Sequence, residues 1–450
     1  MSIETSLHQA APVSQKDRIL IIDSLRGFAI LGILLMNIPG FGLPAPAAYS
    51  DLSVLNETGT NFKTWYFIDW FMEGTQRALF STLFGAGVIL FISRIEKRVD
   101  GTWPVDYFIR RQLWLLVFGL INGFVLLWFW DILFQYAICG IIVFTFRRLT
   151  PKSLVIAAVV SLLLQTAREN IDFYRDKKVI STGEMLAKID TTQTKLTPMQ
   201  SDQMAAYTEY KEGTSAEGKK KKMEKSLRYM QGSYAELYEY QSERSFHGEV
   251  YYTYFGFGDI LMFMFLGMAL FKSGLLMGNG SVKTYLLLFI IGMGGGLVLS
   301  YFRLQPQIDC KFDFYQYTKT VRFEFYEISR AFRSVGLFAF IMLLYKSGWF
   351  KWLFALMRPV GQMAFTNYLT QSLLVGLYFY GIGFGMFGKL ERYELYYVVA
   401  ATWTLQIIWS HIWLRYFRFG PLEWAWRCLT YWHIQPFRKN KHSTDTMGMS

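Results

Sequence analysis

Asp69, Glu73 and Arg77 recur at four-residue spacing inside an apolar stretch. On a helix that spacing stacks two carboxylates and a guanidinium in one row. Ionisable groups at membrane depth are expensive, so they face the protein interior and serve a site or pair with one another. A carboxylate there can take a proton from a hydroxyl or amine, or carry one. A second cluster, Asp23-Ser24-Leu25-Arg26-Gly27, opens another apolar run. Asp23 and Arg26 share a helix face, and a guanidinium suits a phosphate or developing negative charge. Asn37 follows Arg26 by eleven residues, about three turns, extending a polar line along the same helix. The plainer readings are a structural ion pair for the first cluster, and a helix-start acid with a snorkelling Arg for the second.

Other polar residues interrupt apolar runs. Asn122 and Asp131 flank a tight turn, and Asp259 opens a later run; helix capping competes with a binding role for each. Asn367 and Gln371 form a neutral stripe, for which interhelical hydrogen bonding is the simpler account. Gln406, Ser410 and His411 form another, with Arg415 four residues on. His411 is the one histidine inside an apolar run, either a base or a packed interface residue. The catalytic candidates are therefore Asp69, Glu73 and His411. The substrate-binding candidates are Asp23, Arg26, Asn37, Arg77, Asn122, Asp131, Asn367, Gln371, Gln406 and Arg415. The sequence holds no phosphate-binding loop, zinc-protease motif or nucleophile elbow. Cys139, Cys310 and Cys428 are too scattered for a disulfide framework or metal spacing, so no metal is expected.

The elements that must position these groups are membrane helices. The chain has 450 residues, 52% hydrophobic and only 18% charged, against about 25% charged in soluble domains. Ten runs approach membrane-spanning length: about 19–38, 66–92, 110–130, 131–147, 152–167, 252–272, 283–302, 330–346, 360–388 and 395–416. The predicted fold is an all-α polytopic membrane helix bundle with one large extracytoplasmic loop. Its regions are 1–166 with five helices, the loop 167–250, a membrane region 251–436, and a cytoplasmic tail 437–450. The net charge of +12 does not point to nucleic acid, because residues 168–249 balance 14 basic against 14 acidic residues. The excess lies in short loops, including Lys16, Arg18, Arg94, Lys97, Arg98, Arg110, Arg111 and Lys351, which puts both termini in the cytoplasm. Residues 303–333 are basic yet fall outside; they read as a basic outer mouth for an anion, or as a missed span. Lys219–Lys222 reads as a solvated helix face. The end of the 360–388 run, Gly381 to Gly385, reads as broken or re-entrant.

The chain resembles the YeiB-like family of bacterial inner-membrane proteins (domain of unknown function 418). The resemblance rests on Arg18 to Asn37, Leu79 to Gly87, Gly119 to Asn122 with Asp131 to Leu133, Gly361 to Tyr368, Trp409-Ser410 and Phe419 to Arg427. The family region proper begins near residue 281. That family is similar, at a distance, to transmembrane acyltransferases, which pass an acyl group from cytoplasmic acyl-CoA to an extracytoplasmic sugar or polymer. The likeness implies an inner-membrane protein with acyl-CoA as donor. This chain carries Asn37 where sugar O-acyltransferases of that kind carry a His, and Asn122 where many YeiB-like sequences carry one.

Three functions are compatible with these residues. One is an acyltransferase acting on an extracytoplasmic, glycan or lipid-linked acceptor. Another is a proton-coupled carrier of a small anionic or amphipathic solute. The third is a non-catalytic scaffold or lipid-binding protein. Each takes the lipid bilayer as partner and leaves a homo-oligomer open.

Overall fold

A computed structural model describes residues 19–97, 101–190 and 195–439. Lys16, Arg18, Arg98 and the tail from residue 440 lie outside the described residues. Among those described, no strand forms; one isolated bridge pairs Phe417 with Arg438.

The first helix, α1 (Leu20–Gly42), is the axis of the bundle. Buried residues make up 72% of its most apolar stretch, against 22% for peripheral helices introduced below. A missing side chain lets α15 (Lys351–Gln362) press against it. A Cβ at Gly27 would sit 2.2 Å from the Met357 carbonyl oxygen, and one at Gly361 would sit 1.8 Å from that of Asp23. Small residues of this kind let membrane helices approach where water cannot drive them together.

The expected span 66–92 is two helices, α2 (Gly59–Phe71) and α3 (Thr75–Ile95). The chain turns at Met72-Glu73-Gly74, where Gly74 adopts φ +72°, a conformation costly for residues with a Cβ. Asp69 therefore ends one helix, Glu73 occupies the turn, and Arg77 begins the next; they are not one helical row. Helices α4 (Trp103–Phe124) and α5 (Leu133–Thr145) form the expected hairpin.

Helix α6 (Pro151–Leu186) runs 36 residues, past position 166 without a break, and its Leu163 and Leu164 are exposed. Three amphiphilic helices follow: α7 (Pro198–Thr214), α8 (Ala216–Met230) and α9 (Tyr234–Phe246), begun by Thr197, Ser215 and Ser233 side-chain caps. They fold against one end of the bundle. Lys219 Nζ pairs with Asp51 at 2.8 Å and donates to the Phe312 carbonyl at 2.9 Å. Gln241 and Ser245 donate to the Leu127 and Gly123 carbonyls. Lys220 and Lys221 instead project outward with neighbouring glutamates on their own helix, as a solvated face should.

A short π-helical stretch, His247–Tyr252, leads into α10 (Thr253–Lys272). Helix α10 meets α3 as closely as α1 meets α15: a Cβ at Gly267 would lie 1.8 Å from the Thr82 carbonyl oxygen. Helices α11 (Val282–Phe289) and α12 (Gly295–Asp309) are joined by a second π segment. Next come α13 (Phe314–Thr320) and α14 (Tyr326–Ser347). The expected span 360–388 is interrupted at Met363, between α15 and α16 (Ala364–Phe379), and helix ends before the glycines. Phe384 N–H returns to the Leu377 carbonyl and Gly388 N–H to that of Gly42, so this segment folds back on the bundle end. Helices α17 (Leu395–Tyr416) and α18 (Pro421–Tyr431) complete the described chain.

Among the described residues, six helical stretches are long and apolar enough to cross a membrane: Leu20–Gly42, Gly59–Ile95, Pro151–Leu186, Tyr234–Lys272, Val282–Asp309 and Tyr326–Ser347. Helix α5 is equally apolar but shorter. The protein is an all-α polytopic membrane bundle.

Candidate functional site

Two cavities lie at opposite ends of α1. The first, about 250 Å³, is walled by the start of α1, the end of α3, the start of α4 and the segment after α17. Four arginines line it, Arg26, Arg94, Arg111 and Arg427, with two carboxylates, Asp23 and Glu423. Asp23 pairs with Arg26 at 3.5 Å, as their spacing predicts. Glu423 caps α16, accepting from the Phe365 N–H at 2.8 Å, the Thr366 N–H at 3.0 Å and the Thr366 hydroxyl at 2.6 Å. The Arg111 guanidinium lies over the Trp426 ring at 3.5 Å and the Phe91 ring at 5.0 Å; Arg427 lies over Phe419 at 4.4 Å. Cations on aromatic faces, outnumbering carboxylates, make an anion-favouring pocket. We refer to it as the arginine chamber.

The second cavity, about 570 Å³, is walled by the end of α1, the α2–α3 turn, the α4–α5 turn and the starts of α10, α14 and α17. Asn37, Asp69, Glu73, Arg77, Asp131 and Asp259 line it. Its charges form a lattice across helices. Asp69 pairs with Arg303 and accepts from the Ser50 hydroxyl at 3.2 Å. Asp259 pairs with both Arg77 and Arg330, and Arg330 also binds Glu327 at 2.5 Å. Arg333 donates to the Asp69 and Trp70 carbonyls, both at 3.0 Å, holding the last turn of α2. The Tyr326 hydroxyl donates to Glu73 at 3.1 Å. We refer to this cavity as the carboxylate chamber.

Arg303, Arg330 and Arg333 thus take no part in a basic mouth, whereas Lys311, Lys319 and Arg322 of the same segment are exposed. Arg330 and Arg333 are fully buried and Arg303 nearly so; they point inward because Asp69, Asp259 and Glu327 would otherwise be stranded charges. Arg77, in turn, pairs with Asp259 on α10.

A thin wall separates the chambers. Asp131 and Ile132 face the carboxylate chamber, while Leu133 and Tyr136 face the arginine chamber. Tyr368 lines the arginine chamber, yet its hydroxyl reaches Asp131 Oδ1 at 3.2 Å. Asn122 Nδ2 donates to the same oxygen at 2.7 Å, and the Phe134 N–H to Asp131 Oδ2 at 2.9 Å. Tyr136 likewise lines the arginine chamber and donates to the Arg77 carbonyl at 3.1 Å.

The candidate residues thus divide between two chambers. Asp23 and Arg26 belong to one; Asn37, Asp69, Glu73, Arg77 and Asp131 belong to the other; Asn122 lies in the wall. Asn367, Gln371 and Gln406 join neither. They bind one another and backbone: Gln371 to Gln406 at 3.0 Å and the Ile30 carbonyl at 3.1 Å, Asn367 to Ser410 at 3.1 Å, Gln406 to the Asn367 carbonyl at 2.8 Å. His411 lines neither chamber, its Nδ1 2.8 Å from the Ile407 carbonyl, and Arg415 is exposed. Sequence reasoning missed Arg303, Arg330, Tyr326 and Tyr368; the unmatched acids at Asp69 and Asp259 were the signal for the arginines. Among the described residues no group of three or more His, Cys, Asp or Glu is placed to hold a metal.

Residues 270–433 match the family described as "Protein of unknown function (DUF418)". The chain is 30% identical to uncharacterized protein YxaH of Bacillus subtilis strain 168 over 443 residues, covering 95% of this chain and 98% of that one. It is 29% identical to uncharacterized protein YeiB of Escherichia coli K12 over 436 residues, covering 92% and 96%. No solved structure matches it. With a relative of that identity aligned nearly end to end and the family region running from the end of α10 through α18, the chain belongs to the YeiB-like DUF418 family of membrane proteins.

Proposed function

We propose that this protein is a membrane acyltransferase. An acyl-CoA binds with its phosphates at the arginine chamber, and its acyl group passes to a hydroxyl or amine held in the carboxylate chamber. The observation that carries this reading is the back-to-back pair of chambers on α1: a cation-rich, aromatic-walled pocket on one side and a carboxylate-lined one on the other. At about 250 Å³ the first is smaller than a usual whole-ligand pocket, so it would take one end of the donor. The Lys/Arg-rich short loops support a position of the arginine chamber on the cytoplasmic side of a bacterial inner membrane, where acyl-CoA is made. Asp69, Glu73 and Asp131 are the carboxylates available as base, and Arg77 and Asn37 are placed to orient an acceptor.

Membranes containing the protein, supplied with radiolabelled acetyl-CoA, should transfer label to a lipid or glycan fraction, and membranes lacking it should not. Failure with acetyl-, propionyl-, succinyl- and long-chain acyl-CoA alike would overturn the reading. The thin wall also suits a carrier that opens alternately to either side. Uptake of a labelled anion driven by a proton gradient, without any acyl-CoA, would move the assignment there.

A further inference from the structure

The proposed reaction needs its base where donor and acceptor can meet, and that place is the wall between the chambers. Asp69 lies across the carboxylate chamber with its oxygens on Arg303 and Ser50. Glu73 sits in the α2–α3 turn, held by Tyr326. Asp131 differs from both. It lines the carboxylate chamber, yet its Oδ1 is hydrogen-bonded to Tyr368, a residue of the arginine chamber. Its hydrogen-bond partners are neutral: the Asn122 amide, the Tyr368 hydroxyl and the Phe134 N–H. Among the described carboxylates lining the larger chamber, only Asp131 is joined in this way to the other one.

A second observation marks the same place. Glu249, in the π-helical stretch before α10, is 2% exposed, and neither of its carboxyl oxygens has a hydrogen-bond partner. A side chain at Gly123 would meet its Oε1 at 3.3 Å, so this carboxyl packs on the helix turn beside Asn122. Asn122 Oδ1 is also buried without a partner. Unsatisfied polar atoms in a membrane interior are expensive and call for an explanation in use. Widened helical turns recur at such functional positions.

Resting on the acyltransferase reading, we propose that Asp131 is the catalytic base, with Asn122 and Tyr368 as positioning residues and Glu249, the buried carboxyl beside Asn122, as a nearby charge that bears on its protonation. Asp131 removes the proton from the acceptor O–H, and the acceptor oxygen bonds to the thioester carbonyl carbon. The C–S bond then breaks, the electron pair leaves on sulfur, and the proton held at Asp131 returns to that thiolate. The products are the acyl ester and free CoA thiol, with no other reactant. Asn122 and Tyr368 fix one oxygen of the carboxylate, leaving its orientation toward the acceptor determined by the hairpin turn.

The test measures acyl transfer from labelled acyl-CoA by the full-length protein in its membrane, as a function of pH. Transfer by wild type together with a loss of about 100-fold or more in Asp131→Asn is the expected result, with donor binding kept, since the isosteric amide can keep the Asn122 and Tyr368 contacts on its one oxygen and loses only the acceptor of the Phe134 N–H. Glu249→Gln and Tyr368→Phe should lower the maximal rate less and shift the acidic limb of the pH profile without raising the donor KM. Transfer by Asp131→Asn within twofold of wild type would overturn the assignment while leaving the acyltransferase reading intact; no transfer by wild type would overturn both. If Asp131→Asn does not fold, Tyr368→Phe decides: an unmoved pH profile would overturn the proposal, and a shifted one supports it.

Discussion

The two chambers are built from the same residue types and held in different ways. In the carboxylate chamber two acids have cationic partners on other elements, Asp69 with Arg303 and Asp259 with Arg77 and Arg330, and Arg392 of its lining pairs with Glu57. These pairs tie α2, α3, α10, α12 and α14 together, and their removal would leave charges in a low-dielectric interior. In the arginine chamber the guanidiniums of Arg111 and Arg427 rest on aromatic faces, and one of the two acids is consumed in capping α16. The first arrangement is a scaffold that sets geometry. The second is a surplus of positive charge that an incoming anion can use.

If that distinction holds, substitutions should separate the chambers by their effect on stability. Arg303→Ala strands Asp69 and should cost about 3–5 kcal/mol, read as a large fall in melting temperature in detergent; a change under 1 kcal/mol would mean that the lattice does not hold the helices. Lys219→Ala, which removes the buried partner of Asp51, should cost about 2 kcal/mol, whereas Lys221→Ala, two residues on in the same lysine run but outward-facing, should leave the melting temperature unchanged. Equal effects from the two lysines would contradict their different burial. Arg111→Gln should be mild for the fold, losing a cation–π contact worth about 0.5–1 kcal/mol. It should still weaken binding of free CoA roughly tenfold, the equivalent of one charge-assisted hydrogen bond. Unchanged CoA affinity would remove the arginine chamber as the donor site.

What was legible in the sequence follows from the range of each signal. Apolar runs and the Asp23–Arg26 spacing are local, and the helices and that ion pair appear where they were expected. The hairpin around Asp131 was readable for the same reason. The α2–α3 break was hidden, because charges at four-residue spacing imitate an unbroken helix; Gly74, between Glu73 and Arg77, was the clue. The lattice was not readable at all from neighbours in sequence, since Asp69 and Arg303 stand 234 positions apart. An accounting of charges would have come closer: acids in spans two and six need cations, and 303–333 holds surplus ones. The stripe of Asn367 and Gln371 went the other way: beside a binding role, interhelical hydrogen bonding was its simpler account, and these side chains with Gln406 bind one another and the backbone of α1.

The account turns on two wet chambers opening to opposite sides of the membrane and closed from each other at Tyr368 and Asp131. Single cysteines at Gln362, in the arginine chamber, and at Asn37, in the carboxylate chamber, test it in a chain whose three native cysteines are replaced. In sealed vesicles of known orientation, a membrane-impermeant thiol reagent should label Gln362→Cys from the cytoplasmic side only and Asn37→Cys from the opposite side only. Labelling of both from one side, or of neither from any side, would contradict it.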